Sequence, residues 1–147
     1  MDADRYVLVE RFPGADDYRR LRSATGLSAK SAEAAARGLP NTVHGVSLLD
    51  GERVIGMGRI VGDGGCFFLV VDIAVDPDHQ RRGLGKRILV ALDAWLREHA
   101  PPSAHVALFA DGDAKHLYAQ YGFVETGPRS VGMAYTVRDR GPVQSRE

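Results

Sequence analysis

One stretch of the chain, VVDIAVDPDHQRRGLGKRI at residues 70–88, constrains the fold more than any other. It joins an apolar, β-branched run to a helix-forming run through a segment with one proline, three arginines and two glycines. Backbone N–H groups at the start of a helix are unpaired, and the helix dipole adds about half a positive charge there. A strand that leads into a basic, glycine-containing helix start therefore predicts a binding site for phosphate groups.

This stretch does not fit two familiar phosphate-binding loops. A dinucleotide-binding fingerprint needs a third glycine at the position of Ile88. A P-loop needs a glycine at the position of Gln80 and a serine or threonine at the position of Arg87. Both loop patterns are excluded, so the stretch is either a different kind of phosphate site or only a well-made turn at a basic helix start.

The overall composition makes any anion site a local feature. The 147 residues carry 19 basic and 19 acidic side chains, so no net field attracts nucleic acid or a membrane surface. Cys66 is the single cysteine, which excludes an internal disulfide, and the histidines form no metal-binding motif. Charges lie throughout the N-terminal residues, and no apolar run approaches the ~18 residues of a membrane span. We expect a cytoplasmic protein without a bound metal.

Hydrophobic periodicity and turn residues predict a single α/β domain at residues 1–140 and a flexible tail at 141–147. Helices are predicted within 13–26, at 28–38 with Ser28 as the cap, at 83–99 and at 111–122. Strands are predicted at 5–10, at three places between 42 and 76, and at 105–110, 123–126 and 131–138. The turns between the three central strands are Asp50-Gly51 and the glycine-rich run 62–65.

Two motifs in this order resemble a known superfamily. Residues 80–85, QRRGLG, fit the pattern Gln/Arg-x-x-Gly-x-Gly/Ala, directly after the strand end IAVDP. Residues 110–124 fit the distal pattern N-x-x-A-x-x-x-Y-x-x-x-G-F, with Ala114, Tyr118, Gly122 and Phe123 in register and Asp111 in place of the asparagine. Together they resemble the acetyl-CoA-binding motifs of the GNAT superfamily of N-acetyltransferases.

The resemblance implies an α/β (α+β) fold, with a mixed, mostly antiparallel twisted sheet of six to seven strands flanked by about four helices. Strands 66–76 and 105–110 would run parallel and splay apart to bind acetyl-CoA. The implied reaction transfers acetyl from acetyl-CoA to a primary amine of a small molecule by direct attack in a ternary complex. Acetylation of a protein lysine or N-terminus, and a non-catalytic acyl-CoA-binding module, are the alternatives. The exposed edge of a splayed sheet would suit a homodimer.

The resemblance also implies the residues that hold the cosubstrate. The backbone of Ile73, Ala74 and Val75 would contact the pantetheine arm and the thioester carbonyl. The pyrophosphate would lie at the loop formed by Gln80, Arg81, Arg82, Gly83, Leu84, Gly85, Lys86 and Arg87, and the distal helix would add Asp111, Ala114 and Tyr118. Tyr118 matches the acid that protonates the leaving sulfur. An aspartate at 111 preserves a helix cap but not an amide contact.

Asp72 is the second candidate catalytic residue, because it is an acid in the middle of an apolar strand. An ionised carboxylate there needs a partner or a wet cavity. It could be the base that deprotonates the amine, an anchor for the substrate ammonium, or a structural acceptor for neighbouring backbone N–H groups. Strand alternation predicts that Asp72 shares a face with Val70 and Ala74.

Overall fold

A computed structural model of the protein describes residues 5–144. Its centre is a sheet of five strands in the order β1-β2-β3-β4-β5. The strands are β1 (Tyr6–Val9), β2 (His44–Asp50), β3 (Arg53–Gly62), β4 (Phe67–Val75) and β5 (His105–Ala107). The first four pair antiparallel, and β4 pairs parallel with β5. The mixed, mostly antiparallel sheet confirms the predicted fold class.

Within residues 5–144, four helices flank the sheet, which agrees with the number that the resemblance implied. They are α1 (Ala15–Ala24), α2 (Ala32–Gly38), α3 (Leu84–His99) and α4 (Ala114–Ala119). The predicted cap of α2 is wrong: Ser31 accepts the N–H of Ala34 at 3.0 Å, so the helix begins at Ala32. Ser28 instead accepts two hydrogen bonds from Arg22, through its carbonyl oxygen and its hydroxyl.

The sheet separates two apolar layers. One layer packs α3 on the sheet through Leu84, Ile88, Leu92 and Leu96. Glycines in β3 bring the helix close, since a Cβ at Gly58 would lie 2.5 Å from Cγ2 of Ile88. The other layer packs α1 and α2 on the opposite face through Tyr18, Leu21, Ala35, Met57 and Ala74. Among the described residues, no helix is both long and apolar enough to cross a membrane.

The strands predicted at 123–126 and 131–138 do not form, so the described sheet has five strands where six to seven were expected. We call residues 123–144 the C-terminal segment; apart from the short turn Val137–Asp139 it has no regular structure and is largely exposed. A strand persists only where a neighbouring edge pairs with it, and this segment pairs with none of the described strands. The end of the predicted tail, residues 145–147, lies outside the described residues.

The parallel pair opens part of the way along β4, as the resemblance implied. Phe67, Phe68 and Leu69 pair with the three residues of β5, but β4 continues to Val75. Beyond Leu69, the edge of β4 that faces away from β3 therefore has no partner strand among the described residues. Unpaired backbone groups inside a fold need a partner, and a bound molecule can supply it.

Candidate active site

A β-bulge interrupts β4 just where the sheet opens. Met57 pairs with Ala74 and Arg59 with Val71, so Asp72 and Ile73 together lie opposite Gly58. Asp72 has a φ of 61°, which a non-glycine residue rarely adopts.

The extra residue shifts the alternation of the strand. Asp72 shares the α1 face with Ala74, whereas Val70 belongs to the core under α3. The predicted common face with Val70 is wrong, because alternation assumes a regular strand.

The carboxylate of Asp72 is buried and held by two guanidinium groups. Its side chain is 4% exposed. Oδ1 accepts from Nη1 of Arg22 at 2.5 Å, and Oδ2 accepts from Nε of Arg59 at 2.7 Å. The Tyr18 hydroxyl donates to Oδ1 over a longer 3.5 Å. The structural partners are thus side chains from α1 and β3, in place of the neighbouring backbone N–H groups that we considered from the sequence.

Aromatic rings enclose this ionic cluster. The guanidinium carbons of Arg22 and Arg59 lie 5.9 and 5.8 Å from the ring centroid of Tyr18, and that of Arg59 lies 5.5 Å from the ring of Phe12. Such contacts stabilise a partly desolvated cation. Burial, followed by the Asp72 charge, raises the pKa of Tyr18 above its ordinary value, although both arginines oppose the shift. Tyr18 is therefore a neutral donor at physiological pH.

The turn between β4 and α3 is fixed by its own side chains. Gln80 donates its amide N–H to the carbonyl of Val75 at 2.9 Å, and the Asp76 carboxylate accepts the N–H of Asp78. The hydroxyl of Tyr6 and Nδ1 of His79 form a 2.8 Å hydrogen bond, and Nη1 of Arg87 donates to the Tyr6 carbonyl. Gln80 and Arg87 thus position the loop through protein contacts.

The start of α3 forms a cradle of backbone donors. Arg81 and Gly83 adopt positive φ of 64° and 75°, and α3 begins at Leu84. The N–H groups of Leu84, Gly85 and Lys86 have no acceptor within residues 5–144. A Cβ added at Gly83 or Gly85 would meet nothing within 4 Å, so there is room for a ligand over these amides.

The side chains around this cradle also suit a pyrophosphate. Arg81, Arg82 and Lys86 are exposed and carry positive charge beside the helix start. Leu84, by contrast, buries its side chain in the core, which leaves its backbone N–H as the group that can bind a ligand. Free amides, a helix dipole and local cations together fit the CoA pyrophosphate that the motif implied.

Tyr118 lies on α4 one turn after Ala114 and contacts the ring of Phe123 edge-on at 6.1 Å. Its hydroxyl makes no hydrogen bond within the described part of the chain. Burial, and then the Asp111 charge, raises the pKa of Tyr118 above its ordinary value, so the phenol keeps its proton at neutral pH. Asp111 does not cap α4 with its side chain: its carbonyl accepts the N–H of Ala114, and the N-cap residue is Asp113.

Two cavities in the described structure have separate linings. The larger, about 1060 Å³, is bounded by β5, α4 and residues between 123 and 132 of the C-terminal segment, and Tyr118 is among its lining residues. The smaller, about 240 Å³, lies against α1 and α2 on the face of Asp72, with Tyr18, Lys30, Ala35 and Arg59 in its wall. Across residues 5–144, no cluster of three or more His, Cys, Asp or Glu could hold a metal ion.

Sequence reasoning missed Tyr18, Arg22 and Arg59, which complete the surroundings of Asp72. The sequence does contain a signal for the arginines. Arg59 stands in the apolar run RVIGMGRIVG, and Arg22 follows Leu21 on the buried side of α1. A cation in such a run requires a buried anion, and Asp72 is the acid in an equally apolar strand.

The comparisons with known proteins agree with this fold and site. Residues 40–125, more than half of the chain, match the family model for the acetyltransferase (GNAT) domain. The chain therefore belongs to the GNAT acetyltransferase family, and its fold and loop define an acyltransferase domain of the GNAT type.

Two relatives have substantial sequence identity to the chain. A crystal structure of a probable acetyltransferase of unknown function from methicillin-resistant Staphylococcus aureus is 40% identical. It superposes with a TM-score of 0.84 over 89% of this chain and 98% of that one. The histone acetyltransferase TAP1 of Glycine max is 32% identical over 88 residues, which are 60% of this chain and 37% of the soybean protein. The chain thus spans less than half the length of that curated relative.

A third similarity shows the fold alone. N-acetylglutamate synthase from Neisseria gonorrhoeae, solved with coenzyme A and L-arginine, superposes with a TM-score of 0.61 at 14% identity. The match covers 86% of this chain and 29% of that one. A protein with this fold thus binds coenzyme A.

Proposed function

We propose that the protein transfers the acetyl group of acetyl-CoA to a primary amine of a small molecule, by direct attack in a ternary complex. The observation that carries this proposal is the cradle at Leu84, Gly85 and Lys86, next to the open edge of β4. The cradle suits a pyrophosphate, and the edge suits an extended arm with amide groups. The loop and the strand therefore support acetyl-CoA as the cosubstrate. Membership of the GNAT family supports acetyl transfer as the reaction.

The backbone of Ile73, Ala74 and Val75 would hold the acyl-pantetheine arm. Ile73 belongs to the bulge and Ala74 and Val75 follow it, and all three lie on the part of β4 that β5 does not cover. A strand N–H that faces the thioester oxygen stabilises the negative charge that develops there, whatever its side chain. The bulge supports this role, because it changes the direction in which backbone groups point.

Tyr118 would supply the proton for the leaving group. When the amine nitrogen bonds to the carbonyl carbon, the carbon–sulfur bond breaks and the sulfur leaves as a thiolate. A neutral phenol can protonate that sulfur, and the raised pKa of Tyr118 keeps the phenol neutral. Asp111 supports this state, since a phenolate near its carboxylate would be repelled.

We propose a positioning role for Asp72 in place of the base or ammonium anchor considered from the sequence. Its two carboxylate oxygens each accept from a guanidinium group, so a proton or a substrate ammonium would have to displace an arginine. The ion pairs fix Arg59 beside the small cavity and tie α1 to the bulge. Water is then the simplest acceptor for the proton of the amine.

We also propose that the protein forms a homodimer through its C-terminal segment. Val131, Met133, Tyr135 and Val137 alternate as in a strand, yet these side chains are 63% to 88% exposed. β5 is an edge strand of the described sheet, and it lies beside a wide cleft lined by Val106, Phe109 and Phe123, with Val131 of the same chain at its border. Residues 131–137 of a second copy could pair with this edge and bury their apolar face in the cleft.

Release of free CoA in the presence of a panel of amines tests the reaction. The panel contains small primary amines and a lysine-containing peptide, and mass spectrometry identifies the product. We expect acetylation of at least one small amine. Acetylation of the peptide alone would favour a protein acetyltransferase. Tight CoA binding without turnover of any amine would favour the non-catalytic module.

A further inference from the structure

We infer that the acceptor amine carries an anionic group, a carboxylate or a phosphate, which binds in the small cavity between α1, α2 and β3. This inference rests on the proposed function and names the substrate class for the same site. It begins with the charges of the cavity wall. Lys30 and Arg59 line the cavity, and none of its lining residues is an aspartate or glutamate.

The nearest carboxylate does not neutralise this wall. Asp72 pairs with Arg22 and Arg59 together, so one negative charge meets two positive charges. Within the described residues, the ammonium of Lys30 forms no ion pair. Glu33, the nearby acid on α2, pairs with Arg37, and both of those side chains are about 80% exposed. The cavity therefore keeps a net positive charge that an anionic ligand would balance.

The cavity is also close to the expected reaction centre. Tyr18 and Ala35 form part of its wall, and both pack in the same buried cluster as Ala74. Ala74 is one of the strand residues that we propose to face the thioester. An amine anchored in the cavity would thus approach the acyl group from the α1 face, across the bulge at Asp72.

The size and the charge of the small cavity favour some amines over others. A cavity of about 240 Å³, with Ala34, Ala35 and Leu39 in its wall, suits a compact molecule. Nε of Arg59 donates to Asp72 and Nη1 donates to Thr42. The N–H groups that remain on its guanidinium, together with the Lys30 ammonium, are therefore the donors for a carboxylate or phosphate. Polyamines and basic peptides would bring like charge to Lys30 and Arg59, so they are disfavoured.

Matched amines that differ in their anion test the inference. We compare γ-aminobutyrate with n-butylamine and putrescine, and phosphoethanolamine with ethanolamine. For the better of the two anionic amines, we expect kcat/KM to exceed that of the matched amine without an anion by about tenfold or more. This ratio of kcat/KM values should fall with added salt. The two pairs show whether carboxylate or phosphate is preferred.

Lys30 is the residue to change, because Arg59 also holds Asp72 and its loss could unfold the site. Lys30→Gln should reduce the preference for the anionic amine, and Lys30→Glu should shift it toward putrescine. Arg37→Gln removes a cation from α2 that does not line the cavity, and should leave the preference unchanged.

A binding measurement keeps this inference separate from the proposed reaction. Calorimetry in the presence of CoA compares γ-aminobutyrate, phosphoethanolamine and putrescine on the wild type and on Lys30→Glu. Absence of turnover with every amine overturns the reaction, while the calorimetry still decides the inference. Putrescine binding as tightly as both anionic amines, or an unchanged preference in Lys30→Glu, would overturn the inference.

Discussion

Nε of Arg59 in β3 lies 2.7 Å from the carboxylate of Asp72, which is one of the two bulge residues of β4. The pair joins β3 to β4 at the point where the sheet opens, and Arg22 adds α1 to the same carboxylate. One acid thus connects β3, β4 and α1, of which β3 and α1 also border the small cavity. The ion pairs of Asp72 should therefore contribute to the stability of the fold.

Asp72→Asn should destabilise the fold by about 3 kcal/mol, because it leaves two largely buried guanidinium groups without a full counter-charge. Chemical denaturation measures the change. Glu52→Gln is the matched control, since Glu52 is exposed in the hairpin turn and should give a change within about 0.5 kcal/mol. An Asp72→Asn variant as stable as this control would mean that the ion pairs add little.

Gly85→Leu should weaken CoA binding without weakening the fold. The motif accepts alanine at this position, but a leucine side chain would extend into the space that we assign to the pyrophosphate, since a Cβ at Gly85 has nothing from the rest of the fold within 4 Å. We expect an affinity about tenfold lower or worse, with no loss of melting temperature, because leucine favours a helix more than glycine does. Gly65→Leu, also in open space but in the turn before β4, should bind CoA like the wild type. Equal affinities for both variants would contradict the assigned phosphate site.

Tyr118→Phe should lower kcat by about 100-fold or more, the usual contribution of a positioned acid. KM for acetyl-CoA should change little, because the ring and its contact with Phe123 remain. Tyr121→Phe, three residues further on, should retain activity. Steady-state kinetics on both variants distinguish an acid from a packing tyrosine. Equal losses in the two variants would argue against a special role for the Tyr118 hydroxyl.

Stability should decline on mild acidification because of His44. Its ring stacks on Trp95 at 5.1 Å, and burial, more than the nearby His99, holds its pKa below the ordinary 6.5, with Glu10 opposing. A histidine whose pKa is lowered in the folded state makes its full contribution to stability above pH 6.5, the pKa of the unfolded state. That contribution is lost as the pH falls through 6.5 toward the pKa of the folded state. Between about pH 7.5 and 5.5, denaturation midpoints should fall more for the wild type than for His44→Phe. Parallel pH profiles would exclude His44 as the cause.

The proposed dimer predicts that Met133→Lys makes the protein monomeric. A charge in the alternating apolar row could not enter the cleft beside β5. Val143→Lys changes an equally exposed residue outside that row and should leave a dimer. Sedimentation equilibrium reports the mass of each species. A monomeric wild type would refute this part of the account.

The phosphate cradle could be predicted because its signals are local, whereas the parallel pairing of β4 and β5 was implied only by the resemblance to the GNAT superfamily. The glycines and arginines of 80–87 and the apolar strand before them are adjacent in the sequence. The bulge could not be predicted, since alternation describes a regular strand and says nothing of a positive φ at Asp72. Arg22 and Arg59, the partners of Asp72, lie 50 and 13 residues from it in the sequence, and only the folded chain brings the three together.

The C-terminal segment shows the limit of strand propensity. Residues 131–137 have the alternation of a strand, but the described sheet offers them no paired neighbour. Strand pairing depends on tertiary contacts as well as on local propensity. In our proposal, the strand that pairs with residues 131–137 belongs to a second copy of the chain.

A crystal structure with coenzyme A tests the account most directly. We predict that the pyrophosphate oxygens accept hydrogen bonds from the N–H groups of Leu84, Gly85 and Lys86. We also predict that the pantetheine arm lies along Ile73, Ala74 and Val75, with the sulfur within hydrogen-bonding reach of the Tyr118 hydroxyl. Coenzyme A bound elsewhere, or with its sulfur directed away from both Tyr118 and the cavity beside Asp72, would contradict the proposed site.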